Sequence, residues 1–573
     1  MRLDGTAGER NSPDDGLACE LAPLAGALAR AAGELLAEGA APGESALPAV
    51  DFEPARNPAF GDFATNVAFG LARRARRSPQ ALAEALLARV REREPEAAAL
   101  LAEAQAVAGF INVRLAPSVW QQGVARILRE GAAFGREQPS GERISLEFGS
   151  ANPTGPLVVV QGRTLSLGDS LARAMRFCGI AVESEWIVND AGSQIENLGR
   201  SLFARYRQLA DPSFPFPDDG YPGAYLIPLA ERLRARDGDR WERASEAEAL
   251  PVLARFARDA LVAEQQEIAA RFGVHYDRWQ SERELHESGA IAQALAGLRA
   301  RDLAYEAEGA LWLRTTAFGD DKDRVLVRAD GRPTYLAPDV AFHAQKLARA
   351  EHAILILGPD HHGYIKRLET IAAALGRAGA IEVVIAQHMT TIRDGEIVSL
   401  SKRHGDLLTL AEVIDEVGVD AARFFFAMTS PEQPLTFDLT LAKERSNENP
   451  VFYVQYAHAR IASLARSAPA ELRARAERGE ELARLTAAEE RALARRLAEF
   501  PGTVRAVVRG RAPHRLTRYL QTLAGDFTQF YGACRVLSSD AGLSAARLGL
   551  AFAAQRVLAS GLQLLGVTAP QTM

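Results

Sequence analysis

The sequence predicts an α/β protein built on a doubly wound parallel sheet, with an N-terminal α+β domain and a C-terminal α-helical bundle. Three observations lead there. Between about residues 140 and 445, short apolar runs alternate with helix-period stretches. That is the pattern of parallel strands joined by crossover helices. From about residue 450 onward no convincing strand pattern occurs, and helical patterns such as YVQYAHARIASLA follow one another, as in a bundle. Ahead of the alternating region, Ala/Leu-rich helical pattern mixes with isolated apolar runs.

Taken in order, residues 1–16 read as a polar tail without the apolar run of a signal peptide. Residues 17–118 form the first domain. Its helical segment is Pro79 to Val90, with apolar residues at helical spacing, and GFINVRL (Gly109 to Leu115) reads as a strand. Residues 119–445 form the central domain. The run ISLEF (Ile144 to Phe148) leads into a turn rich in Gly, Asn and Pro, then a helix from about Gly162. Later strands are Ala353 to Leu357 and Glu382 to Ala386, and helical stretches between about 195 and 300 read as an insertion. Sheets of this kind bind ligands at the carboxyl ends of their strands. Residues 446–573 form the helical bundle, in which Glu471 to Glu499 reads as an exposed helix pair.

A length of 573 residues with 47% hydrophobic and 24% charged residues fits a multidomain globular chain. No run of about 18 apolar residues occurs, so no membrane span is expected, and the default location is the cytoplasm. Cys19, Cys178 and Cys534 are far apart and form no CxxC pair. They read as free thiols, not a zinc ribbon. The formal net charge is -6, which by itself argues against a nucleic-acid partner. The distribution of that charge points the other way. Val451 to Met573 holds 17 Arg, no Lys and 9 acids, a surplus of +8 that leaves -14 on the rest. A basic domain on an acidic body suggests a local polyanion site.

Four blocks carry a family resemblance. The first is EFGSANPTGPL (Glu147 to Leu157), with Gly162-Arg163 and then WIVNDAGSQIENLGRSL from Trp186. The second is GALWLRTTAFGDDKDRVLVRADGRPTYLAPDVAFH (Gly309 to His343), and the third GPDHHGYIKRL (Gly358 to Leu368). The fourth runs from SLSKRHGDLLTL through DEVGVDAARFFF to DLTLAKERSNENPVFYVQYAHARI. In order and separation these blocks resemble arginyl-tRNA synthetase, a class I aminoacyl-tRNA synthetase with a Rossmann-like catalytic domain. GDFATNVA (Gly61 to Ala68) and AGFINVRL resemble that family's N-terminal tRNA-binding domain, and the ending from CRVL to Met573 resembles its anticodon-binding domain.

The resemblance implies how arginine would be held. A guanidinium is a planar fork of donors that pairs best with fixed carboxylates. The family places an acid on its first strand and a Tyr and an Asp four residues apart; Glu147, Asn152, Tyr335 and Asp339 match those positions. Residues spaced i, i+4 share one face if helical. Asn152 would fix the α-amino group or the carboxylate. Asp360 and His361 would line the substrate or nucleotide pocket. The adjacent His361-His362 pair is a poor metal site, because neighbouring side chains rarely converge on one ion, and no metal ligand set is expected.

At the ATP site the sequence departs from the family. The resemblance implies a His-x-Gly-His tetrad at a helix N-terminus, where backbone N–H groups favour phosphate. The four positions hold Val158, Val159, Val160 and Gln161. Val158 has no side-chain donor, Gln161 has one without charge, and the β-branched Val160 should crowd the base. The second signature, a Lys-Met-Ser-Lys-Ser loop, reads Ser399-Leu400-Ser401-Lys402-Arg403. Lys402 is the expected stabiliser of the leaving pyrophosphate, with Ser401 beside it, and Gln161 and Arg163 are placed near the nucleotide. Losing one preorganised donor typically costs about 10²–10³ in rate. Lys366 or Arg403 could compensate.

The expected reaction is arginine activation by ATP, with Mg²⁺ accompanying ATP as substrate, and transfer to tRNA-Arg. No tightly bound metal or organic cofactor is expected, and the chain is read as a monomer. Tyr453, Tyr456, His458 and Arg460 share one amphipathic helix and, with Met573, are candidates for tRNA contact, since arginines meet phosphates and aromatics stack on exposed bases. Packing of the bundle explains Tyr453 and Tyr456 equally well. Two alternatives stay open: a paralogue that binds tRNA or arginine without adenylation, and an arginine-activating ligase for another acceptor.

Overall fold

The computed structural model describes residues 18–39, 49–55, 57–398 and 408–573. They fall into two compact units. One comprises Met1–Arg136, Phe452–Gln563 and Thr568–Met573; the other comprises Glu137–Val451 and Leu564–Val567.

In the first unit a four-stranded antiparallel sheet pairs Glu53–Pro54 with Phe63–Thr65, that strand with Phe110–Leu115, and that with Leu101–Val107. The helix Pro79–Arg93 begins where the Ser78 hydroxyl accepts the Ala81 N–H at 3.2 Å, with Pro79 at its first position. Both features suit a helix start. Leu82, Leu86 and Val90 recur every four residues and are fully buried. The helix Pro117–Glu130 spans the expected boundary at 118/119 and belongs to this unit. The remainder is helical, as expected after residue 450. The anticipated exposed pair is Ala470–Glu477 and Ala488–Ala498, of which the first is half-buried along its middle and exposed at its ends. The second buries Leu493, Leu497 and Glu490, whose carboxylate takes Arg547 at 2.7 Å.

In the second unit the sheet is built from β1 (Arg143–Ala151), β2 (Ala181–Val188), β3 (Arg278–Ser281), β4 (His352–Leu357) and β5 (Ile381–Ile385). The spatial order is β5-β4-β1-β2-β3 with every pair parallel. The chain moves outward from β1 through β2 and β3, then returns to β1's other side as β4. The switch point therefore lies between β1 and β4, where doubly wound sheets bind ligands. Strands buried on both faces read as unbroken apolar runs, and ILIL of β4 is almost wholly buried. Near its carboxyl end β1 shifts register against β2 between Glu147 and Ser150. Gly149 makes this possible: its φ is +107°, and a Cβ there would lie 2.6 Å from the Trp186 ring.

The helices that matter below are α1 (Val159–Phe177), after β1; α2 (Ser193–Gln208), α3 (Leu226–Asp237) and α4 (Glu246–Arg271), the expected insertion; α5 (Glu282–Glu287), after β3; α6 (Leu336–Arg349), before β4; and α7 (Ile365–Ala374), after it. The insertion has its own core of Leu202, Tyr206, Leu229, Leu253 and Leu261. Between α5 and α6 the chain also forms a three-stranded antiparallel sheet, Ala304–Ala307, Ala310–Leu313 and Arg324–Val327, which the sequence pattern did not disclose.

Candidate active site

The site is built at the switch point. Glu147 lies on β1, 6% exposed, and is ion-paired with Lys346 of α6. Asn152 follows the strand; its amide donates to Gln194 at the start of α2. Tyr335 caps α6 and Asp339 sits in its first turn. The spacing does put both at one helix end, yet their environments differ. Tyr335 is 79% exposed. The Asp339 carboxylate, largely shielded, accepts a hydrogen bond from the Tyr364 hydroxyl and lies 3.8 Å from the Arg367 guanidinium.

Asp339 is pushed up to about 6. Burial is the main cause; the Tyr364 hydroxyl and Arg367 pull it down, while Glu282 and Glu147 push it up. Glu282, the first residue of α5, is itself raised, by burial and then by Asp190. Asp190 is held by Ser281 Oγ at 2.8 Å and the Arg283 N–H at 3.0 Å. A shielded carboxylate with acidic neighbours and a raised pKa is a site that gains from an incoming cation. Of these residues the sequence pattern named Glu147 and Asp339. It missed Tyr364, although Tyr364 lies in the quoted GPDHHGY block, and it missed Glu282, whose signal is only an acid opening a helix after a strand.

Asp360 and His361 are exposed on the short 3₁₀ helix Pro359–Tyr364 after β4. His361 packs edge-on to Tyr364, with centroids 6.3 Å apart. Through Tyr364, His361 borders the Asp339 group. Among the described residues no group of three His, Cys, Asp or Glu is arranged to hold a metal ion.

At the start of α1, Val158 is the N-cap, and the Gln161 side-chain oxygen accepts the Val158 N–H at 2.8 Å. Gln161 thus caps the helix backbone, half of a capping box. Valine has no acceptor for the other half. Val158 also bridges Thr409, with Val159 N–H to the Leu408 carbonyl at 3.0 Å and Leu410 N–H to the Leu157 carbonyl at 2.8 Å. The segment after the second signature is therefore stitched to the first. Thr409 and Glu412 exchange hydrogen bonds of 2.7 Å and 3.1 Å that begin the next helix. Val160 faces outward, 36% exposed. Ser399, Ser401, Lys402 and Arg403 lie outside the described residues. Lys366 is exposed and 3.5 Å from Glu369.

Arg163 corrects the sequence expectation. It is 1% exposed and donates to four carbonyls: Gln387 at 2.7 Å, His388 at 3.2 Å, Ser430 at 2.9 Å and Gln433 at 2.7 Å. Burial pulls its pKa down to about 10. It braces loops beneath the site instead of facing a nucleotide. Its position four residues after the buried Val159 is the signal for an inward face.

In the other unit, Tyr453, Tyr456, His458 and Arg460 lie on the helix Pro450–Ser467. Arg460 is sandwiched between Tyr456 and Tyr531, 5.4 Å and 4.7 Å from their ring centroids. Tyr456 and Met573 are exposed. Tyr453 is half-buried, 3.5 Å from Thr528, and His458 is buried against the Pro570 carbonyl at 2.8 Å. Cys178 and Cys534 are buried.

This sheet and site belong to a known class. The family model of the class I (R) tRNA synthetase catalytic domain matches residues 245–431, so the protein is a class I aminoacyl-tRNA synthetase. The arginyl tRNA synthetase N-terminal domain matches residues 23–115, and the DALR anticodon-binding domain matches 454–573. The arginine–tRNA ligase of Desulfosudis oleivorans is 42% identical over 96% of this chain and 99% of its own. That of Desulforudis audaxviator is 44% identical over 92% and 94%. The arginyl-tRNA synthetase structure from Thermus thermophilus shares the fold, with a TM-score of 0.72 at 24% identity over 96% of this chain and all of that one. The chain belongs to the arginyl-tRNA synthetase family.

Proposed function

We propose that this chain activates arginine with ATP and transfers it to tRNA-Arg. The observation that carries the reading is the carboxylate group of Asp339, Glu282 and Glu147 at the switch point of the sheet. An acid raised to about 6 by burial and by other acids is lowered when a guanidinium arrives. Arginine binding would thus relieve the mutual repulsion of these acids. Asp339, oriented by the Tyr364 hydroxyl, and Glu282 would meet the guanidinium. Asn152 would hold the α-amino or carboxylate end, with Tyr335, Asp360 and His361 at the rim.

For the nucleotide, Lys402 and Ser401 would meet the phosphates, and Mg²⁺ enters with ATP. Val158 and Val160 would border the nucleotide with their backbone and methyl groups. Gln161 can direct its amide N–H₂ outward while its oxygen caps α1. Adenylation is largely positioning and electrostatics, so an uncharged donor retains part of what a histidine would give. In the other unit, Tyr456, Arg460 and Met573 are the proposed tRNA contacts, with Tyr453 behind them. Among the described residues no helix is long and apolar enough to cross a membrane; a cytoplasmic monomer fits the reading.

The experiment is binding of L-arginine by calorimetry beside citrulline, which replaces the guanidinium with a neutral urea. Preference for arginine by tenfold or more supports the site; equal binding contradicts it.

A further inference from the structure

Glu147 of β1 and Glu185 of β2 are register partners, side by side on parallel strands, and they are 6% and 0% exposed. Two carboxylates so placed repel strongly unless cations intervene. Two cations do, both from α6. Arg349 binds Glu185 Oε1 at 2.5 Å and Glu183 at 2.9 Å, so Glu185 already has its counter-ion. Lys346, 1% exposed, pairs directly with Glu147 and lies 3.4 Å from Glu185. Its ammonium rests 4.4 Å from the Phe342 ring centroid.

Lys346 stands seven residues after Asp339, two turns along the same helix. One helix therefore presents the site acid and grips the site strand. Glu147 also acts electrostatically on Asp339, pushing it up.

We propose that Lys346 is a positioning residue of the arginine site: it locks the Glu147 carboxylate on β1 and neutralises it beside Asp339. This rests on the arginine-site reading above. Without the ammonium, Glu147 faces Glu185 and Asp339 with no cation of its own, and its carboxylate is no longer fixed on the site strand. The titratable and charged groups around Glu147 are Lys346, Asp339 and His343 on α6 and Glu185 on β2, with Glu282 of α5 beyond Asp339. His343 is buried and held neutral by desolvation, then by Lys346, so it supplies no substitute charge.

The test is calorimetric titration of the full chain with L-arginine at pH 7.5, using Lys346→Met, Lys346→Arg, Glu185→Gln and the charge-balanced double variant Lys346→Met/Glu185→Gln. Relative to the natural chain, Lys346→Met should weaken binding at least tenfold. Lys346→Arg, which keeps a cation beside Glu147, should restore binding to within threefold. Glu185→Gln should stay within threefold, because Lys346 still holds Glu147. If Lys346→Met does not fold, the double variant takes its place with the same expectation. Binding by Lys346→Met within threefold of the natural chain overturns the proposal, as does an equal loss in Lys346→Arg or in Glu185→Gln. A natural chain that binds no arginine overturns the arginine-site reading and this inference together; arginine bound equally by both chains overturns this inference alone.

Discussion

The raised pKa of Asp339 makes arginine binding depend on pH where an ordinary aspartate would not. If the guanidinium meets the ionised carboxylate, apparent affinity scales with the ionised fraction. With a pKa of about 6, that fraction is about one tenth at pH 5 and about nine tenths at pH 7 by simple titration. Binding should therefore weaken about tenfold, about 1.4 kcal/mol, on going from pH 7 to pH 5. An unshifted aspartate near 3.9 would be about nine tenths ionised even at pH 5 and would change affinity by roughly 10%. The assay is calorimetric titration with L-arginine at constant ionic strength from pH 5 to 7.5. Asp339→Asn should bind weakly with no slope in this range, since the titrating group is gone. A flat profile in the natural chain, or the same slope in Asp339→Asn, would rule out Asp339 as the titrating partner of the guanidinium.

Two further outcomes follow from the same geometry. The folded-state pKa of Asp339 lies above its unfolded value, so the ionised form is disfavoured in the fold. The penalty is absent well below the ordinary value of 3.8, grows as pH rises through it, and is complete above about 7. Asp339→Asn should then stabilise the ligand-free protein at pH 8 by roughly 3 kcal/mol, about half that at pH 5, as read by urea unfolding; equal stability at pH 8 would count against the penalty. Arg163→Met removes four carbonyl contacts from a buried guanidinium. It should cost about 3–5 kcal/mol in urea unfolding with arginine affinity unchanged, and a loss below about 1 kcal/mol would contradict the bracing role.

The sheet was legible because its central strands are buried on both faces. ISLEF and AILIL could only be interior, and both became strands of the switch point. The helix Pro79–Arg93 was legible from its apolar residues at helical spacing. The three-stranded sheet from Ala304 to Val327 was not, because four-residue strands such as Ala310–Leu313 leave too short a pattern to separate from a turn. At the site, Glu147 and Asp339 were legible from their motif positions. Tyr364, Glu282 and Lys346 were not, since each is defined by a partner distant in sequence. Lys346 lies 199 residues from Glu147, and no local period reports such a pair. Arg163 was misread because it adjoins the tetrad, whereas its spacing of four residues from the buried Val159 puts it on the inward face of α1. The tetrad substitution was plain in the sequence; that Gln161 replaces a charged donor with a helix cap emerges only in three dimensions.

The proposed function requires that this chain charge tRNA with Val158, Val159, Val160 and Gln161 where its family has His-x-Gly-His. The decisive assay is arginylation of total tRNA by the purified chain with ATP, Mg²⁺ and labelled arginine, beside the triple variant Val158→His/Val160→Gly/Gln161→His. The expected result is arginyl-tRNA from the natural chain and a faster rate from the restored one. No product from the natural chain, with arginine and tRNA still bound, would contradict that function and leave a synthetase fold that binds without adenylating.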